Sequence, residues 1–548
     1  VVNVIDNRIP DERIAEPVRG SVGARYSSAD EGLGGDILLE GGFGGFAWHL
    51  EGYRRETDDL RIPGFARSAR LRAAEPLPAS EEEEYGHLGN SYMETAGFSA
   101  GASYIWDSGY FGLAYSGFDA NYGSPAEKEV SIDMEQRRRD FQGAFNQPLT
   151  GIKAIKYRLA LSDYEHTEFE GPDPGTTFTN EGYDGRIEVT HDKVGALEGA
   201  FGYQTDRSEF TALGDEKFLP PTLTKSHSGF LFEEFALSDT VKLQGGLRYD
   251  HITADAEADP DFGPARERSF NNLSGSLGVL YTPSDDYAVA LSAANSERAP
   301  TYQELYANGP HIATGVFEIG DDDLPVEQSL GFDLSLRKRT GRVTGSLTAF
   351  YNRFDNFIGQ FPTGDVEDDL PVSAYRNTDA EFYGMEAEAI IHLMEPVTAP
   401  APIIVTGKGV SGKQPVSGPA GPDQSLDLEL RADYVHAEDT GSGDPLPRIS
   451  PFHASVALDY RRGPFGARLE GIYAAKQDRT ADNELPTDSY FIVNAALSYT
   501  LHAGRTTTDL FIKGVNLTDE EAREHTSFLK DIAPLGGRGI VAGVKVSF

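Results

Sequence analysis

Imidazole, carboxylate and aromatic side chains gather at three places along the chain. From Ser296 to Glu327 the sequence reads SERAPTYQELYANGPHIATGVFEIGDDDLPVE, which sets Tyr302, Glu304, Tyr306, His311 and Phe317 in one segment, with Glu318 beside them. His525 follows Glu520, Glu521 and Glu524, and His87 follows the acidic run Glu81–Glu84. Neutral imidazole and carboxylate together suit a borderline divalent metal such as zinc. His311, His525, Glu524 and His87 are therefore candidate metal ligands. Tyr302, Glu304, Tyr306, His311 and Phe317 form the candidate substrate-binding set, because such rings stack on an organic chelate. Each histidine has a plainer reading as a hydrogen-bonding loop residue, each ring as loop packing, and the runs Glu81–Glu84 and Asp321–Asp323 as solvated charge. The chain has no Cys, so thiolate metal sites and disulfides are excluded. No GxSxG, SxxK or HExxH pattern stands in a functional context, and an enzyme is not expected.

These residues depend on the strands around them. YAVALSAANS enters the Ser296–Glu327 stretch and SLGFDLSLRKR leaves it, both with period-2 alternation. A connection of ~30 residues without structure of its own is uncommon and usually functional. Ten alternating segments can be threaded from Tyr287 onwards: Tyr287–Ser296, Leu330–Arg337, Val343–Ile358, Glu381–Leu393, Leu428–His436, His453–Tyr460, Ala467–Ala475, Tyr490–Tyr499, Asp509–Leu517 and Gly539–Phe548. The first half supplies about ten to twelve more at the same density, and bacterial barrels close on even numbers. Hydrophobic residues make up 39% of the 548, with no long apolar run, so membrane-spanning helices are excluded while a membrane barrel is not. The 60 Gly, 25 Tyr and 31 Phe suit turns and interfacial girdles. The expected fold is all-β: a transmembrane antiparallel β-barrel of about 22 strands with short periplasmic turns and long extracellular loops. Strand parity places the Ser296–Glu327 loop, the Gly359–Ala380 loop, GSGDPLPRISP, Lys476–Ser489 and Thr518–Arg538 outside the cell. Because the first and last strands of a closed barrel are neighbours, His525 is expected within reach of His49 or His87.

The formal charge of −39 argues against a nucleic-acid partner and favours a cationic or metal-bearing ligand. Glu395–Gln424 is Pro- and Gly-rich where a short periplasmic turn is due, and it reads as a flexible insertion or a partner contact.

The stretches ERAPTYQELYANGPH, FEIG, DDDLPVEQS, TAFYNRFDNFIG, YRNTDAEFYGMEAEA, PLPRISP, TDSYFIVNAALSY and GVNLTDEEAREHTSFLKDIAPLGGRGIVAGVKVSF resemble, in order, the barrel of a TonB-dependent outer-membrane receptor. GYFGLAYSGFDANYGSP, IDMEQRRRDFQGAF, LALSDYEHTEFEG and GTTFTNEGYDGRIEVTH resemble the subgroup that includes the TonB-dependent zinc receptors. That subgroup often carries a His-rich loop after a YG-x-P turn; here Tyr122-Gly123-Ser124-Pro125 is followed by AEKEVSID. The resemblance implies a monomeric outer-membrane importer of a scarce nutrient: zinc or a metal chelate, with an iron siderophore as the alternative. It implies no cofactor. Its implied partners are TonB–ExbB–ExbD through the plug, membrane lipid and lipopolysaccharide, and the barrel assembly machinery at Phe548. VVNVID is similar to the last strand of a plug domain. Residues 1–10 are therefore expected to be that strand and its linker, 11–548 the barrel, and most of the plug to lie outside this sequence. A barrel so emptied is expected to behave as a passive pore.

Overall fold

The computed structural model describes residues 6–214, 217–394 and 424–548. The expected β run at Val1–Asp6, apart from Asp6, and the Pro/Gly-rich insertion at Glu395–Gln424, apart from Gln424, lie outside the described residues. Twenty-four strands hydrogen-bond into one sheet. Two of them, Asn308–His311 and Val316–Ile319, belong to the loop after Arg298, which leaves 22 in the wall. Each wall strand pairs antiparallel with its neighbours, and Gly539–Ser547 pairs back onto Arg19–Ser27 through Val546↔Val22, Val544↔Ala24 and Ala542↔Tyr26. Phe548 and Gly20 exchange both backbone hydrogen bonds at 2.9 Å, so the ladder closes down to the last residue. Among the described residues no helix is long and apolar enough to cross a membrane.

The alternation explains why these segments form a wall. In Glu327–Lys338, Leu330, Phe332, Leu334 and Leu336 all stand exposed on the outer face, while Gly331, Asp333, Ser335 and Arg337 alternate with them. Leu334 lies opposite Leu291 on one side and Ala349 on the other, which continues the apolar row across strands. Leucine displayed in this way suits hydrocarbon rather than water. Aromatic rings gather near the short-turn rim: Tyr104, Trp106, Phe145 and Tyr157 form a chain with successive centroids 5.9 to 6.3 Å apart. At that rim, Gly463 and Gly504 supply the left-handed backbone (φ 53° and 64°) that two-residue hairpin turns need.

The long loops sit at the opposite end, with one correction. Gly359–Ala380 is not a loop. Strand Val343–Glu367 runs straight through it, turns at Asp368-Asp369, and returns as Leu370–His392. Both aspartates have positive φ, the pattern of a type I′ turn. Pro362 and Gly364 made the segment look irregular, but the ladder absorbs them at a register shift between Pro362 and Val366.

The loop after Arg298 is also more ordered than an open mouth. Thr301 caps a short helix, Tyr302–Tyr306, in a reciprocal capping box with Glu304. The ribbon Asn308–His311/Val316–Ile319 follows, and Phe317–Ile319 pairs in parallel with Val372–Ala374 of the long hairpin. Leu305, Tyr306 and Leu324 then pack with Phe178, Phe210, Phe218 and Ile358 in the largest buried apolar cluster.

The outward face gives a direct stability test. Leu334→Arg is expected to cost about 2–4 kcal/mol, as for a basic residue near the bilayer midplane. Ser335→Arg, on the lumenal face, should cost much less. The measurement is the fraction of heat-modifiable folded barrel recovered after refolding into lipid.

Candidate mouth site

Glu318 is the centre of the loop after Arg298. Its side chain is 1% exposed. Oε1 accepts from His311 Nδ1 at 2.7 Å and Thr314 Oγ1 at 3.3 Å; Oε2 accepts from Gln303 Nε2 at 2.7 Å and Tyr375 OH at 3.2 Å. Burial alone would push this carboxyl up. The His311 hydrogen bond and charge, with the Gln303 and Tyr375 donors, outweigh burial and hold it below its usual range. The His311 ring stacks on Phe218, centroids 4.3 Å apart.

Tyr302 opens onto a lumenal cavity of about 500 Å³. Tyr164, His166, Phe178 and Phe210 complete its aromatic wall, while Gln136, Arg138, Asn180 and Asp184 give it polar contacts. Tyr302 packs against Phe210 at 5.4 Å, His166 stacks on Phe178 at 4.6 Å, and Tyr164 OH meets His166 Nδ1 at 2.9 Å. A larger groove, about 630 Å³, crosses the strand seam on the outer wall and is lined by residues such as Leu497, Leu510 and Ile512. It faces hydrocarbon and not the solute path.

The other members of the predicted substrate set are engaged within the loop. Glu304 accepts from the Thr301 backbone N at 2.7 Å and from Arg298 at 2.8 Å. Tyr306 is buried and donates to Ala254 O, and Phe317 is buried in the ribbon. Arg298 also binds Glu327.

A second polar cluster ties the remaining loops together. Glu484 Oε1 accepts from Lys530 Nζ at 2.9 Å and from the Arg448 backbone N at 2.8 Å, and lies 3.2 Å from His525 Nε2. Thr487 Oγ1 meets His525 Nδ1 at 3.0 Å. Next to it Arg70, from the loop before Tyr85–Leu88, pairs with Asp531 at 2.6 Å. Burial would raise the Glu484 carboxyl, but hydrogen bonds from His525 and Lys530 and the Lys530 charge bring it down to about 2.

The four predicted metal ligands are therefore not assembled. His525 pairs with Glu484 rather than with the glutamates preceding it, Glu524 accepts from Tyr490 OH, His87 stands exposed on Tyr85–Leu88, and His311 sits in the other cluster. Nor does His525 meet His49. Strand Phe46–Thr57 leaves the short-turn rim at Phe46, so His49 lies low in the lumen, bound to Glu40 at 3.1 Å. Among the described residues, the one trio of carboxylates close enough to share an ion is Asp321–Asp323, on the surface. His166 and Glu484 went unnoticed in sequence because each sits in an ordinary polar context, and their partners lie on other strands and loops.

A closed 22-stranded wall with an apolar exterior, a polar lumen and a loop-packed mouth defines an outer-membrane solute barrel. Residues 75–517 match the family "TonB dependent receptor-like, beta-barrel", and the chain belongs to that family, a family of receptors rather than enzymes, resident in the outer membrane. An iron-regulated outer membrane virulence protein of Vibrio cholerae is 30% identical over 179 residues, 31% of this chain; the chain spans about a quarter of that relative's length (25%). Among solved structures, the copper transporter OprC superposes with a TM-score of 0.79 at 14% identity, covering 98% of this chain and 81% of that one. The siderophore receptor PirA of Pseudomonas aeruginosa gives 0.65 at 14% identity, covering 98% and 81%. At such identities the likeness is one of fold.

Glu484 makes the loop cluster dependent on pH. Its pKa is depressed from the free value of 4.5, so its stabilisation is fully present above pH 4.5 and is lost as pH falls towards 2. Protease resistance of the external loops is expected to persist at pH 5–8 and to fall below pH 4.5. Glu484→Gln, which leaves Lys530 and His525 without their carboxylate, should loosen the loops already at pH 7, with a cost of about 3–5 kcal/mol.

Proposed function

We propose that the whole protein imports a metal as an organic chelate, through the mouth at the Tyr302–His166 cavity, driven by TonB–ExbB–ExbD. The observation that carries this reading is the cavity itself. It offers five converging aromatic rings with polar groups between them, a surface for stacking and hydrogen bonding. It does not offer a ready coordination sphere, so the metal would arrive already ligated. The names of the relatives support a metal or chelate cargo: copper for OprC, a siderophore for PirA, iron regulation for the Vibrio cholerae protein. Bare zinc is the second reading. It would draw on His311 and Glu318, which are joined at 2.7 Å and carry donor types that zinc accepts. In either case lipid and lipopolysaccharide would surround the wall, and the barrel assembly machinery would read the strand ending at Phe548.

The test is accumulation of iron chelates, copper and zinc in cells carrying or lacking the full-length gene. Deletion is expected to abolish uptake of at least one of them, and Tyr302→Ala to weaken cargo binding about tenfold, or ~1.4 kcal/mol. Unchanged accumulation of all three would sink the import reading, and a large ungated current from the full-length protein in a bilayer would favour a passive pore.

A further inference from the structure

Residues 6–18 form no regular element, yet they are seated on the inner wall with unusual closeness. Ile9 and Ile14 are buried, 5% and 7% exposed, while Ala15, next to Ile14, is exposed. Four wall glycines make this possible. A Cβ on Gly101 would overlap the Arg8 carbonyl oxygen, and one on Gly112 the Ile9 side chain. On Gly42 it would overlap the Ile14 carbonyl, and on Gly41 that of Pro17. These glycines lie on three of four successive strands, two on Leu33–Phe43 and one each on Met93–Trp106 and Gly109–Ser124; the fourth strand, Phe46–Thr57, contributes the fully buried Ala47 against Ile14 instead. Polar contacts fix the register. Gln142 Nε2 donates to Ile9 O at 3.1 Å, Arg8 to Ser116 Oγ at 3.1 Å, the Gly42 N–H to Glu16 O at 2.9 Å, and Arg13 pairs with Asp107 at 2.8 Å. Gly229, elsewhere in the wall, has nothing within 4 Å of such a Cβ, whereas Gly182 and Gly384 meet carbonyls of neighbouring wall strands and not of this segment.

We propose that Arg8–Pro17 is a fixed tether, which stays in this glycine cradle while cargo passes. The physical reason is fit. A segment held against glycines at four places, three through its own carbonyls and one through the Ile9 side chain, with two buried isoleucines and at least four polar contacts, must give up all of them together to lift off. The passage of cargo in this proposal rests on the import reading above; the tether's seating does not.

Thiol labelling in cells carrying the full-length gene tests it. This chain has no cysteine, so an introduced thiol reports on its own position, and the parent strain gives the blank. Ile9→Cys and Ile14→Cys are exposed to a small maleimide, with Ala15→Cys as the accessible reference. The cells are energised or treated with a protonophore, and supplied with ferric citrate, cupric chloride or zinc chloride. Both buried positions are expected to label at least tenfold more slowly than Ala15→Cys in every condition. Adding Gly101→Val, or Gly112→Ser should the first fail to assemble, is expected to raise Ile9→Cys labelling about tenfold, while Gly229→Val leaves it unchanged. Assembly is checked by heat-modifiable mobility. Labelling of Ile9→Cys or Ile14→Cys at the Ala15→Cys rate in energised cells overturns the proposal, as does a cradle variant that folds and labels like its parent. Because labelling and accumulation are separate readouts, loss of the import reading would show in the uptake assay alone.

Discussion

In hydrocarbon a backbone N–H or C=O has no water to turn to, so every one in the wall must find a partner in the chain. The pairing of Arg19–Ser27 with Gly539–Ser547 meets that demand, and the rest of the molecule depends on it. It brings together residues more than 500 positions apart. It also requires an even number of antiparallel strands, and so assigns each connection to one rim or the other. Once the seam is closed, the loop carrying Tyr302 and His311 and the loop carrying His525 fall on the same side, although the sequence between them exceeds 200 residues.

Above the membrane a different rule holds. The loops are not covered by lipid, and they are held by ordinary protein packing: an apolar cluster under the capping-box helix, and carboxylates surrounded by donors. Glu318 and Glu484 play equivalent parts in the two halves of the mouth. Each is a nearly inaccessible acid satisfied by at least three groups, which makes the ionised form the comfortable one despite burial. In a chain carrying −39, these two acids organise the loops of the mouth.

Much of this was legible in the sequence, for a physical reason. Alternation is a local signal, and the wall is built from local alternation and nearest-neighbour pairing. The ten strands after Tyr287, the parity of the loops and the association of His311 with Glu318 all follow from positions close together in the chain. What stayed hidden is non-local. Glu484 lies 41 positions before His525, and nothing around either residue points to the other. His166 enters the mouth because strand pairing sets it opposite Phe178, which in turn packs on Phe218, a fact of registry and not of motif. Gly359–Ala380 misled because Pro and Gly mark turns in most contexts, whereas here a long ladder carries them past a register shift.

The hairpin Val343–His392 has a final consequence. Its two strands run 25 and 23 residues, whereas a tilted strand crosses a bilayer in about 9–11. More than half of it therefore stands clear of the membrane, ending at the fully exposed Thr363–Asp369 tip. Just beneath that tip, through Val372–Ala374, it grips the ribbon Phe317–Ile319. An antibody or a phage tail reaching the cell surface would meet the tip first. Because the parallel pairing lies directly beneath the tip, such a visitor would hold a lever attached to the loop that carries Glu318.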